Sequence, residues 1–410
     1  MKISSIKAKE ILTSKGTPTV EVILETSKGQ FIASVPSGVS TGDYEAVEIP
    51  ASEAVKKIAT IEPLLASQDF SSQKEFDCFL IKQDGTKNKS FLGGNTMLAL
   101  SIAFARAMAN ENNQQLFNYL AEGAEEGGNL LPTGRRFPPS SCFKMPRPAV
   151  LLFEGGKHGQ GGLTFQEILL VPSGNSFQEM LDKAKNVFAG LQSQLNYPLG
   201  VEGGMVAPLK EEEILSLINQ HTTEQIGIDA AASSFFSQGK YNLAGQEITV
   251  GNLLAFYQTL QKKYNILFVE DPFAQDDYSS WQKLPRGLTP GRSPLMVVGD
   301  DLTATNCERI EMAKEQNLCN AVIIKPNQIG TVWETLQAIA LAKKFGWKII
   351  VSHRAGETED SFIADLAVGA GADFIKTGGL TQSVRMAKYN RMLEIEKEMN
   401  LTKSSSELGT

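Results

Sequence analysis

Between Arg147 and Lys376 one pattern recurs: a short apolar run, a polar or charged residue closing it, and in most intervals a segment with helical spacing. PAVLLFE ends at Glu154, with His158 close behind; FQEILLV carries Glu167; IGID ends at Asp229 and ILFVE at Glu270. LMVVGDD ends at Asp300 and Asp301, AVIIK at Lys325, KIIVSHR at His353 and Arg354, and DFIK at Lys376. Apolar runs without polar alternation are strands buried on both faces, as in a parallel sheet covered by helices. About eight such strands in roughly 230 residues match the size and rhythm of a (β/α)8 barrel. The first two runs lie too close together for a helix between them, so the barrel should start irregularly.

The N-terminal part is written differently. Residues 4–49 alternate with period two, and Ser27-Lys28-Gly29 bends the chain between two of the runs, which predicts an antiparallel meander with one wet face. Helical spacing follows in EAVKKIATIEPLLA and in NTMLALSIAFARAMANENNQQLFNYLAE. Strands first and helices after make a small α+β unit. Gly, Pro and Ser dominate 122–147, which places a boundary there: an α+β domain over 1–135 and an α/β barrel domain over 136–410. QSVRMAKYNRMLEIEKEM closes the barrel as a last helix, and the tail LTKSSSELGT is expected to be loose.

Composition narrows the partners. A net charge of −7 and a pI near 5.3 disfavour nucleic acid and anionic membranes. No apolar run approaches the roughly 20 residues needed to span a bilayer, and the N-terminus has no apolar signal core. Cys78, Cys142, Cys307 and Cys319 show no metal-binding or disulfide spacing. The expectation is a soluble, cytoplasmic protein.

Strand ends of a barrel converge on one mouth, and that gives the charged residues a meaning. Asp229, Glu270 and Asp300 would gather three carboxylates there, which cannot all stay ionised unless a cation joins them. Oxygen-only ligands favour Mg²⁺ or Mn²⁺ over zinc; three separate surface salt bridges are the alternative. Lys325 closes the AVII strand just before Pro326, so it either faces the mouth or merely begins a loop. Beside a divalent cation and the second ammonium of Lys376, its affinity for a proton should fall, leaving a neutral amine able to remove a proton α to a carboxylate. Glu167, and Glu202 within Gly200-Val201-Glu202-Gly203-Gly204, could assist loss of a hydroxyl from the same substrate, although Glu202 alone also fits a solvated loop acid. His158 lies in the Gly-rich stretch Gly155–Gly159, either a lid ligand or a structural histidine. Arg354 could clamp a phosphate, with His353 beside it, or sit in a buried ion pair.

Taken together, TPTVEV, SGVSTG with Tyr44-Glu45-Ala46, GGKH, FQE, VEGG, GIDAAAS, VEDPF, VGDDLT, IKPNQIGT, SHRAGETED and IKTG resemble the enolase family across nearly the whole chain. The resemblance implies a lyase that interconverts 2-phosphoglycerate and phosphoenolpyruvate in glycolysis, as a cytoplasmic homodimer. It implies Asp229, Glu270 and Asp300 as metal ligands and Lys325 as base. Glu202 would assist hydroxyl loss with Glu167 beside it, and Lys376 would hold the substrate carboxylate. Arg354 would take the phosphate and His158 the closed lid. Two Mg²⁺ ions are implied, the second arriving with substrate and touching Ser40. The small-residue loop 37–42, which composition alone reads as a flexible turn, thereby becomes part of the site. Departures from the family pattern are Val201 for an acidic residue, Ala355 for a serine, an absent Arg-Asp-Gly-Asp stretch after Ile49, and Glu394 for an arginine that pairs across the dimer. Two other readings stay open: a relative acting on a different α-protonated carboxylate, and a paralogue kept for binding.

Overall fold

The computed structural model describes residues 1–38, 42–126, 143–159, 161–284 and 295–407. Ser40, Cys142 and the boundary placed at 135/136 lie outside the described residues.

The meander forms as expected, from β1 (Ser5–Leu12), β2 (Pro18–Thr26) and β3 (Gly29–Ser34), antiparallel throughout. Val22 pairs with Ala8 on one side and Ala33 on the other. Its buried face, Val20, Val22, Leu24 and Ala33, packs with the helix Gly94–Glu111, of which nearly every residue is buried. The long helical pattern read from Asn95 to Glu122 is in fact two helices, Gly94–Glu111 and Leu116–Glu126. They are separated at Asn113, whose φ of 53° is left-handed and cannot continue a helix. A helix at Gln73–Asp84 was not anticipated, yet its stops are in the sequence: Ser72 accepts from the Glu75 N–H, and Gly85 ends it at φ 67°.

The second part is a closed eight-stranded barrel. In chain order its strands are β4 (Arg147–Glu154), β5 (Glu167–Val171) and β6 (Gln225–Asp229), then β10–β14 after a small antiparallel sheet. That sheet is β7 (Phe236–Ser237), β8 (Lys240–Leu243) and β9 (Gln246–Ile248). The remaining barrel strands are β10 (Ile266–Glu270), β11 (Met296–Gly299), β12 (Ala321–Ile324), β13 (Lys348–Ser352) and β14 (Phe374–Lys376). The irregular start is real: β5 runs antiparallel to both β4 and β6, while the other neighbours are parallel. Side chains such as Leu151, Leu169, Phe268, Val298 and Ile323 fill the barrel's inside. Gly227 on β6 is required there, since a Cβ would lie 2.1 Å from the ring of Phe268.

Ion pairs join the two parts. Arg106 forks onto Asp360 with two bonds of 2.7 Å, and Lys89 meets Glu334 at 2.7 Å. The last helix, Ser383–Glu407, runs through most of the tail expected to be loose. No glycine or proline interrupts it before Gly409, so each added residue costs no new nucleation. Among the described residues, no helix is long and apolar enough to cross a membrane.

Candidate active site

Register assembles the site. Glu154 on β4 pairs with Glu167 on β5, Glu167 with Asp229 on β6, and Asp229 with Glu270 on β10. Because β5 is antiparallel, its first residue reaches the rim where its neighbours place their last ones. Four carboxyl groups thus stand in one row across four strands.

Above that row opens a cavity of about 640 Å³, lined by Glu167, Glu202, Asp229, Asp300, Lys325 and Lys376 together with His158, His353 and Arg354. Glu270 is wholly buried. Every expected site residue among those described is gathered here.

Lys376 sits at the centre of the acids. Its Nζ is 2.7 Å from Glu167 Oε2 and 2.9 Å from both Asp229 Oδ2 and Glu270 Oε2. Burial works against its charge, but Asp229, Glu167 and Glu270 outweigh burial and hold the amine well above its ordinary value. An ammonium therefore already stands among two of the three acids expected to bind a cation. Lys325 Nζ contacts Asp300 Oδ2. Gln328 donates to the other Asp300 oxygen at 2.9 Å and is itself held by Thr305 Oγ1 at 2.7 Å, and Thr305 also accepts the Lys325 N–H at 2.9 Å. The lowered proton affinity expected of Lys325 belongs to a site with a cation bound. Burial acts in that direction, yet the Asp300 carboxylate reverses it and leaves Lys325 above its usual value. The lowering needs a cation that takes Asp300 away.

On the glutamate side, burial pushes Glu167 up to about 7, against the pull of Lys376 and with Glu202 hydrogen-bonded beside it. Glu202 is buried between two histidines: His158 Nδ1 at 3.4 Å and His353 Nε2 at 3.5 Å. Burial lowers His158 to about 4, so it is neutral. His353 is also neutral, driven well down by burial and then by Arg385. Arg385 can only donate and contacts His353 Nδ1, so the ring proton lies on Nε2, facing Glu202. The stretch Gly155–Gly159, expected to be a lid, forms a turn with backbone bonds of its own. Gly155 donates to Gln166 O at 3.0 Å, Gly156 to Leu163 O at 3.1 Å, and His158 and Gly159 to Gly155 O at 2.9 and 3.2 Å.

Arg354 realises the alternative of a buried ion pair, to Glu45 Oε2 at 2.6 Å, while still lining the cavity. Glu394 is exposed and pairs within the chain, with Arg391 Nη1 at 3.3 Å.

Three residues escaped the sequence reading. Asp271 accepts the backbone N–H groups of Asp300 and Asp301 at 2.9 and 2.8 Å and so shapes that turn. Arg385, fully buried on the last helix, donates to Arg354 O at 2.6 Å and Ala355 O at 2.7 Å. Glu154 accepts the Glu202 N–H. Asp271 left a signal as the second acid of VEDPF, and Glu154 as the residue that closes PAVLLFE. Among the described residues, two clusters have donor atoms mutually within 4.8 Å, His158 with Glu167 and Glu202, and Asp271 with Asp300 and Asp301; the expected set Asp229, Glu270 and Asp300 is neither of them.

Residues 3–120 match the family description "Enolase, N-terminal domain". Residues 142–406 match "Enolase, C-terminal TIM barrel domain". With both domains present in that order over most of its length, the chain belongs to the enolase family.

Proposed function

We propose that the protein reversibly dehydrates 2-phosphoglycerate to phosphoenolpyruvate and water, as a glycolytic enzyme of the cytoplasm. The observation that carries this reading is the joining, around one cavity, of two amines, an arginine and a buried glutamate pair that can hold a proton near neutral pH. Lys325, once neutral, takes the C2 proton. The C–H electron pair becomes the C2–C3 double bond, the C3–O bond breaks, and the Glu167–Glu202 pair supplies the proton with which the hydroxyl leaves as water. Lys376 holds the substrate carboxylate and Arg354 the phosphate, while His158 and His353 keep Glu202 oriented.

The residues present fit a divalent cation. Asp229, Glu270 and Asp300 offer only oxygen donors, and Glu270 Oε1 is buried without a hydrogen-bond partner. Asp229 Oδ2 and Glu270 Oε2 already hold one positive charge, that of Lys376. When bound, Mg²⁺ would supply positive charge at the substrate carboxylate, where negative charge builds as the proton leaves. Ser40 belongs to the set proposed for a second ion.

The test is formation of phosphoenolpyruvate from 2-phosphoglycerate with and without Mg²⁺, in the wild type and in Lys325→Ala. Mg²⁺-dependent product, lost by about 10²–10⁴-fold in the variant with its melting temperature retained, is the expected result. An active Lys325→Ala would remove the base. One observation favours the second reading, a relative acting on another α-protonated carboxylate: Ala355 lines the cavity beside Arg354 and brings no hydroxyl to a phosphate. Turnover of a non-phosphorylated acid in preference to 2-phosphoglycerate would establish that reading. We extend the proposal to a homodimer, checked by sedimentation.

A further inference from the structure

The turn 200–204 that carries Glu202 is fastened to the end of β4. Gly200 N donates to Gly204 O at 2.9 Å, Met205 N to Leu152 O at 2.8 Å, and Glu154 N to Met205 O at 3.1 Å. Glu202's own peptide is held at two points. Its carbonyl accepts the Gly379 N–H at 2.8 Å. Its N–H points at the Glu154 carboxyl, 3.0 Å from Oε2 and 3.3 Å from Oε1.

Glu154 is 1% exposed, and no step proposed above uses it. A third buried carboxylate beside Glu202 and Glu167 would be costly as an anion. Burial, with Glu202 alongside, pushes Glu154 up to about 9, so it is a neutral acid that can accept without adding charge. The space it fills is reserved: a Cβ on Gly200 would lie 1.5 Å from Glu154 Oε1. The backbone at Gly200 is not left-handed, so what glycine provides there is room for the carboxyl.

We propose that Glu154 is a positioning residue, whose carboxyl receives the Glu202 N–H and fixes the 200–204 turn so that the Glu202 side chain stays between His158 and His353. The catalytic part of this proposal rests on the role given to Glu202 above; the structural part does not.

Three variants separate the possibilities: Glu154→Gln, which keeps an oxygen acceptor of the same shape; Glu154→Leu, which keeps bulk and loses the acceptor; and Gly200→Ala, which displaces the carboxyl without touching an acid. Hydrogen exchange at the Glu202 amide is read in each, together with kcat and KM for 2-phosphoglycerate and the melting temperature. In Glu154→Leu and Gly200→Ala the amide should exchange about tenfold faster, as expected for the loss of one buried hydrogen bond. kcat should fall about tenfold or more with KM within about twofold, the signature of a misplaced group that acts in the transition state. Glu154→Gln should restore both. Unchanged exchange in Glu154→Leu, or a Glu154→Gln that behaves like Glu154→Leu, overturns the proposal. If the wild type does not convert 2-phosphoglycerate, the functional reading fails and the exchange data alone decide this one.

Discussion

Arg354 Nη1 donates to Glu45 Oε2 across 2.6 Å, with both side chains buried, so one ion pair joins the end of β13 to the loop that follows the meander. A guanidinium that lines the cavity is thereby held by the other domain. Removing only the acid leaves a buried charge without its partner, which typically costs about 3–5 kcal/mol. Glu45→Ala should therefore lower unfolding stability by that order. Glu45→Ala combined with Arg354→Met should lose much less than the two single changes added together. Denaturant titration of the four proteins measures the coupling, and additivity within about 0.5 kcal/mol would mean the pair contributes nothing as a pair.

Asp77 makes a pH prediction away from the site. It lies wholly buried, accepting from Gln73 Nε2 at 3.0 and 3.1 Å and from the Trp333 N–H at 2.8 Å, which ties the first domain to a barrel helix. Burial pushes its carboxyl up to about 7, against the lowering effect of those hydrogen bonds. A carboxyl raised in the folded state holds its proton more tightly there than in the unfolded chain. Its contribution to stability is therefore full below about pH 4 and is lost as pH rises to about 7. At about 1.4 kcal/mol per unit, the wild type should lose a few kcal/mol across that window that Asp77→Asn does not lose. Equal slopes for the two proteins in urea melts would assign the effect elsewhere.

A cation-binding prediction follows from the carboxylate row. If Asp229 and Glu270 hold Mg²⁺, the ion should raise the melting temperature, by about 2.7 kcal/mol of stability when present at 100 times its dissociation constant. Asp229→Asn and Glu270→Gln should each abolish most of that rise. A wild type whose melting is indifferent to millimolar Mg²⁺ would leave Lys376 as the only cation those acids bind.

What could be read beforehand follows from what each feature depends on. Strand-end residues such as Asp229, Lys325 and Lys376 were legible because a strand's end is marked locally, and closure of the barrel then brings all such ends together. Glu167 was legible only as a charge on an apolar run; its arrival at the rim needs the antiparallel β5. Arg385 was out of reach, and Glu154 was legible as a strand-end acid but not as the acceptor of the Glu202 N–H, since each acts on backbone groups far away in sequence and no spacing encodes that. The proton affinity of Lys325 is likewise not local: without a cation Asp300 holds the amine's proton, and the expected lowering depends on a cation drawing Asp300 away. The last helix was legible as far as Met399, but its continuation to Glu407 was missed because the polar residues there carry no apolar period.

Ala355 offers a gain-of-function prediction. It borders the cavity next to Arg354, and its carbonyl is fixed by Arg385 Nη2 at 2.7 Å, so the backbone there is set before any ligand binds. Replacing its methyl by a hydroxymethyl group adds one donor at that position at almost no cost in volume. A hydrogen bond to a charged group is worth about 1.5–3 kcal/mol, which corresponds to roughly tenfold or more in affinity. Ala355→Ser should lower KM for 2-phosphoglycerate by about that factor and leave kcat nearly unchanged, because the phosphate takes no part in the bond changes and its binding is uniform between ground and transition states. Inhibition by inorganic phosphate should tighten in parallel. If KM stays where it was while phosphate inhibition also fails to move, position 355 does not face the phosphate, and the preference for a phosphorylated acid rests on Arg354 alone.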